Sequence, residues 1–147
     1  MSYDNVEILF VEDSEDDAIL TIRALTKSGF TNKLLHVKDG AEALNFMYGL
    51  GIYALRDVKV NPKLILLDLK MPKVSGMQVL EKVKSDPSLR SIPVVILTSS
   101  KEDPDVAKCY ALGANSYIVK PVDSDSFFRA IKEIGLYWMI LSQPAAH

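Results

Sequence analysis

Five short apolar runs, each followed by a stretch with helical spacing, constrain what this chain can fold into. Four of the runs are strong: "VEILFV" at 6–11, "LILL" at 64–67, "PVVIL" at 93–97 and "SYIV" at 116–119. A fifth, "KLLHV" at 33–37, is more polar. Short continuous runs of Leu, Ile and Val suit strands of a parallel sheet covered on both faces. The stretches between them carry helix punctuation. Ser14 is placed to cap the first, with Asp17 three residues on, and Gly29 stops it. Asp39 with Glu42, and Ser75 with Gln78, repeat the spacing in which a capping side chain and the third helical residue satisfy each other's free N–H groups. The third helical pattern ends near Asp86–Pro87. Asp103 caps the fourth, with Pro104 in its first position and Gly113 past its end. The fifth opens near Asp123 and puts Phe127, Phe128, Ile131, Ile134 and Trp138 at helical spacing. This fivefold alternation predicts an α/β fold with a parallel sheet and right-handed crossovers. The one long connection, "GLGIYALRDVKVNP" at 49–62, is expected on the surface.

Residues 1–147 suit a single domain with one core, from about residue 5 to 141, followed by a short tail, "SQPAAH". A formal net charge of −2 argues against a nucleic-acid binder held by phosphate neutralisation. The one cysteine, Cys109, leaves no disulfide framework or zinc signature and suits a reducing, cytoplasmic setting. Its mid-helix place among apolar residues suggests inert core. With two histidines, His36 and His147, a multi-histidine metal site is excluded. No apolar run approaches the ~20 residues of a membrane helix, and "MSYDNVEILF" lacks the basic start of a signal peptide.

The polar residues collect at strand ends. The first strand runs into "FVEDSEDD", 10–17, where five of eight residues are carboxylates. Glu15, Asp16 and Asp17 suit the positive end of a helix dipole. Glu12 and Asp13 sit at the strand end itself, and like charges ~4 Å apart repel by roughly 4 kcal/mol at an effective dielectric of about 20. "LILL" ends in Asp68, "PVVIL" in Thr98, and "SYIV" in Lys120. In an open α/β sheet, ligands bind at this edge of the strands. Three carboxylates from two strands form a hard-oxygen site suited to Mg²⁺, or Mn²⁺. A carboxylate beside such an ion can attack a phosphoryl group, with Lys120 and Thr98 supplying an ammonium and a hydroxyl for its oxygens. The edge reads as a metal-dependent phosphoacceptor site.

The segments "VEDSEDD", "LILLDLKMPKVSGMQVL", "IPVVILTSS" and "GANSYIVKPVD" together resemble the receiver domain of two-component response regulators, over almost the whole chain. The resemblance implies a flavodoxin-like (βα)5 fold with strand order 2-1-3-4-5 and helices on both faces. It implies Asp68 as the phosphorylated residue, Asp13 and Asp68 as direct metal ligands, Glu12 acting through metal-bound water, and the Lys70 main-chain carbonyl as a third protein ligand. Thr98 and Lys120 would bind the phosphoryl oxygens, Thr98 and Tyr117 would form the switch, and the Lys120–Pro121 bond would be cis. The donor would be a sensor histidine kinase, and the chain a phosphoacceptor without an output domain, not an enzyme, though it would assist its own phosphorylation and dephosphorylation. Phosphorylation would alter the face made by the fourth helix, fifth strand and fifth helix, and so a downstream protein partner. Within the family, the loop before "NPKLILLDL" and the aromatic end "LYWMILSQP" resemble stand-alone receivers that partner bacterial phytochromes. Lys70 and Ser100, two residues past the acceptor and the threonine, could face the attacking water. An aromatic stripe through Phe127, Phe128, Tyr137 and Trp138 is mostly core, with apolar area left for a homodimer through the fifth-helix face or the C-terminal helix.

Other readings of the same residues are weaker. "GLGIYA", 49–54, matches G-x-G-x-x-A but follows a helix instead of a strand. A flavin carrier would need a Ser/Thr/Gly-rich first loop in place of "EDSEDD". A haloacid-dehalogenase-type phosphatase would carry Asp-x-Asp where this chain has "DLK" at 68–70. A receiver-like module that binds partners without phosphate is the remaining alternative. His36, with no nucleophile motif nearby, is expected to be a strand residue.

Overall fold

The apolar runs become strands because both faces of the sheet they form are covered. The computed structural model describes residues 3–27, 29, 33–71 and 74–136. Strands β1 (Ile8–Val11), β2 (Leu34–Val37), β3 (Leu64–Asp68), β4 (Val94–Thr98) and β5 (Ser116–Val119) alternate with helices α1 (Glu15–Lys27), α2 (Gly40–Tyr48), α3 (Gly76–Ser85), α4 (Pro104–Ala111) and α5 (Ser124–Glu133). The strands form one parallel sheet in the order β2-β1-β3-β4-β5. This is the flavodoxin-like (βα)5 order expected from the sequence.

Strand pleating divides the core into two layers. Leu9, Val11, Ile65, Leu67, Val94 and Ile96 pack with Phe46 of α2 and with Val79, Leu80 and Val83 of α3. Ile8, Phe10, Leu64, Leu66, Val95 and Leu97 pack on the other face, with Leu25 of α1 and Phe127 and Ile131 of α5. Every residue of β1, β3 and β4 is buried, whereas β2 at the sheet edge is mostly half-buried, which explains its more polar sequence.

The helix starts follow the capping residues. Asp39 accepts from the Glu42 N–H at 2.7 Å, and Ser14 Oγ from the Asp17 N–H at 3.2 Å. Ser75 with Gln78, and Asp123 with Ser126, form reciprocal capping boxes. Gly76, the first residue of α3, is required by proximity: a Cβ there would lie 2.1 Å from the Asp68 carbonyl oxygen. The glycine lets α3 begin directly against the end of β3.

Two expectations are corrected. The fifth helix stops at Glu133; Ile134 is its C-cap, and Gly135 turns the chain at a φ of 81°. Ile134 is therefore outside the helical run, while Tyr137, Trp138, the tail and any C-terminal helix lie outside the described residues. The 49–62 connection is only partly superficial. It contains a 3-10 turn at Gly51–Tyr53, and Tyr53 and Arg56 are buried. Tyr53 packs edge-on to Phe46 and gives its hydroxyl to Glu42 Oε2 at 2.8 Å. The Arg56 guanidinium stacks 4.1 Å over Phe46 and donates to the Val60 carbonyl at 2.6 Å.

Candidate functional site

The strand order places the ends of β1 and β3 where the connections part. From β1 the chain leaves towards β2, and from β3 towards β4, so a crevice opens between the two loops. Val11 lies level with Leu67, and Asp68 with Leu97. The residue after β1, Glu12, is thus brought level with Asp68. Thr98 pairs with Val119, which carries Lys120 to the same rim.

Together these residues line a cleft of about 190 Å³, with Ser14, Asp17, Lys70 and Asp103. Carboxylate oxygens of Glu12, Asp13 and Asp68 lie within 4.8 Å of one another. Glu12 is fully buried, Asp68 is 5% exposed, and Asp13 is open to solvent. Lys120 is the cation on the cleft floor. Its Nζ lies 2.8 Å from Glu12 Oε1, 3.2 Å from Asp17 Oδ2 and 3.2 Å from Asp68 Oδ1.

Burial pushes the Asp68 carboxyl up to about 7, and the hydrogen bond and charge of Glu12 add to it against the pull of Lys120. Burial disfavours the Lys120 ammonium, yet Glu12 and Asp68 hold it well above the ordinary lysine value. Glu12 Oε1 is buried without a well-angled hydrogen bond, although the Lys120 ammonium stands close by. Three carboxylates around one ammonium leave negative charge over. With an underused buried oxygen among them, the donor set fits a hard divalent cation.

Thr98 is 3% exposed, and its Oγ1 donates to the Ser100 carbonyl at 3.1 Å. The Lys120–Pro121 peptide bond is cis. Tyr117 is not in the cleft. It is half-buried, meets Tyr110 edge-on at 6.2 Å, and lines a separate groove with Lys101, Arg129 and Glu133 beside α5. Ser100 also lies outside the cleft lining, where it accepts the Glu102 N–H on its hydroxyl at 3.1 Å.

Two site residues carried only capping roles in the sequence. Asp17 reaches Lys120 from α1, and Asp103, the cap of α4, takes an ion pair from Lys70 at 3.3 Å. The available signal was their position in the first turns of helices that start at this edge. Cys109 is buried, and its thiol is raised to about 11, chiefly by burial, which disfavours the reactive thiolate and fits the core role expected of it. His36 Nε2 lies 2.8 Å from the Glu12 carbonyl and its ring packs on Phe10, a structural role.

Residues 8–132 match the family model of the response regulator receiver domain. The probable methanogenesis regulatory protein FilR2 of Methanothrix harundinacea (strain 6Ac) is 39% identical over 134 residues, spanning 90% of this chain and 83% of that protein. Response regulator Rcp1 of Synechocystis sp. (strain ATCC 27184 / PCC 6803 / Kazusa) is 37% identical over 140 residues, spanning 95% of this chain and 93% of Rcp1. Among solved structures, the bacteriophytochrome response regulator RtBRR is 48% identical with a TM-score of 0.85, over 94% of this chain and 83% of that one. The Mn²⁺-bound form of Rcp1 is 37% identical with a TM-score of 0.72, over 94% and 98%. The phosphorylated cyanobacterial phytochrome response regulator RcpA is likewise 37% identical with a TM-score of 0.72, over 94% and 95%.

Proposed function

The chain belongs to the response regulator receiver domain family, and from that premise we propose that it is a signalling switch that takes a phosphoryl group from a histidine kinase onto Asp68. The observation that carries this reading is the convergence of Glu12, Asp13 and Asp68 oxygens within 4.8 Å, with Lys120 Nζ 3.2 Å from Asp68. Asp13 and Asp68 would hold Mg²⁺ directly, with the Lys70 main-chain carbonyl, while Glu12 acts through metal-bound water. Mn²⁺ suits the same oxygen set, and a solved form of the similar Rcp1 holds it. The ion supplies charge neutralisation at the transferring phosphoryl group.

The remaining chemistry belongs to side chains of this protein. An Asp68 carboxylate oxygen attacks phosphorus as the bond to the donor histidine nitrogen breaks, and the imidazole takes up the proton it needs as leaving group. Asp68 must be ionised to attack, and lone burial beside Glu12 opposes that ionisation. Asp13 and Asp68, as the residues that would hold a divalent cation, would thereby favour the ionised form of Asp68. Lys120 then exchanges its Asp68 contact for a phosphoryl oxygen. Thr98 Oγ1 turns from the Ser100 carbonyl towards the phosphoryl group, vacating space that Tyr117 enters. The face of α4, β5 and α5 changes with it and alters binding of a downstream protein or a second copy.

The likeness to RtBRR and RcpA supports a phytochrome-type kinase as donor and light-sensing signalling as context. No helix among the described residues is long and apolar enough to cross a membrane, and a cytoplasmic location suits a chain with one cysteine. Incubation with an autophosphorylated phytochrome-type histidine kinase tests the assignment. Phosphoryl transfer to wild type but not to Asp68→Asn is expected. Transfer to both, or partner binding that ignores phosphorylation altogether, would point to a receiver-like binding module.

A further inference from the structure

The cleft holds two lysines in opposite circumstances. Lys120 is 22% exposed and gripped by three carboxylates. Lys70 is 71% exposed and contacts Asp103, whose side chain is only 8% exposed. Asp103 divides its oxygens between two tasks. Oδ1 accepts the Asp105 N–H at 2.9 Å and so caps α4; Oδ2 holds the Lys70 ammonium at 3.3 Å. The pair joins the loop after β3 to the loop after β4, on the rim of the cleft that both residues line.

We infer that Asp103 is a positioning residue that withholds Lys70 from incoming phosphoryl groups, so that the donor and the cap of α4 compete for one ammonium. This rests on the reading of Asp68 as phosphoacceptor. Lys70 lies two residues beyond Asp68 on a long, largely solvated stem. A phosphoryl group carries nearly two negative charges against the single charge of Asp103. Phosphorylation therefore draws Lys70 off Asp103, which keeps its cap but loses its counterion. The rim contact between the β3 and β4 loops is released at the start of α4, a route from the phosphorylation site to that helix separate from Thr98 and Tyr117.

A double-mutant cycle tests this, with the rate of phosphorylation by acetyl phosphate in Mg²⁺ followed by intact mass. In the reaction an Asp68 oxygen bonds to phosphorus and the acetate oxygen leaves as acetate, with no net proton transfer. Asp103→Asn removes the charge but retains a side-chain oxygen for the Asp105 N–H, so α4 stays capped. Freed Lys70 should speed phosphorylation by about two- to five-fold, the range of a solvent-exposed ion pair. Lys70→Met should slow it comparably, and Lys70→Met with Asp103→Asn should match Lys70→Met alone. An Asp103→Asn gain that persists without Lys70 would make the effect simple charge removal and overturn the inference. So would an Asp103→Asn rate equal to wild type. Wild type that takes no phosphoryl group would overturn both this inference and the reading of Asp68 beneath it.

Discussion

Replacing Asp68 by asparagine should stabilise the metal-free protein at pH 8. In that state Asp68 is 5% exposed beside the fully buried Glu12, and Lys120 is shared among three carboxylates. Its carboxyl sits at about 7 in the fold against an ordinary 3.8. The sign follows from linkage. The folded protein binds this proton more tightly than the unfolded chain does. The resulting stability is full below pH 3.8 and is lost as pH rises through about 7. The gap of roughly three pH units, at about 1.4 kcal/mol each, bounds the loss at about 4 kcal/mol. Water entering the cleft screens the charges, so about half, ~2 kcal/mol, is expected. For a chain of this length that is about 4–8 °C in Tm. Asparagine has the shape of the neutral acid and carries no charge at any pH. In EDTA at pH 8, Asp68→Asn should melt higher than wild type by that margin. At pH 5 the margin should fall to roughly two fifths, because folded Asp68 is protonated there while the unfolded chain's is still ionised, and it should vanish only below about pH 3.8. Mg²⁺ at pH 8 should raise the wild-type Tm more than that of the variant. A variant that melts lower than wild type at pH 8, or a margin independent of pH, would refute the electrostatic reasoning.

Lys120→Met leaves the buried Glu12 without its ammonium and should cost about 3 kcal/mol in EDTA at pH 7, with Mg²⁺ restoring part of it. A urea midpoint equal to wild type would show that Lys120 does not hold the carboxylates together. Gly76→Ala sets helix propensity, worth about 1 kcal/mol in favour of alanine, against a Cβ placed 2.1 Å from the Asp68 carbonyl oxygen. The clash should win by about 2 kcal/mol, and a gain in stability on urea denaturation would contradict the close approach of α3 to β3. Tyr53→Phe removes the hydroxyl bond to Glu42 and should cost about 1 kcal/mol. No loss on the same assay would mean that this hydroxyl does not help to pin the 49–62 segment.

The sequence carried the strands, the helix starts and most of the cleft, because each rests on local rules. A short apolar run between caps is a buried strand, and its terminal polar residue faces the edge where ligands bind. Glu12, Asp13, Asp68, Thr98 and Lys120 needed nothing further. Contacts that depend on which strands are neighbours and on how far a side chain reaches were not legible. Asp17 and Lys120 are 103 residues apart, and Lys70 finds Asp103 across two loops; each acidic residue already had a sufficient local role as part of a cap. In the 49–62 connection, turn residues masked the apolar anchor. Tyr53 is buried because it meets Tyr3 and Phe46 edge-on, a tertiary fact with no periodicity in sequence. At the end of α5 the apolar spacing carried the expected helix past Ile134, although Gly135 was present as a stop signal. Backbone geometry at that glycine prevailed over side-chain pattern.

Acceptance of a phosphoryl group by Asp68, with help from a divalent cation, is the chemistry on which the proposed switch rests. Intact mass after incubation with acetyl phosphate, with Mg²⁺ or with EDTA, on wild type and Asp68→Asn, tests it most directly. Wild type with Mg²⁺ should gain the mass of one phosphoryl group, and the EDTA and Asp68→Asn samples should gain none. A gain that survives EDTA or the loss of Asp68, or no gain in any sample, would contradict it.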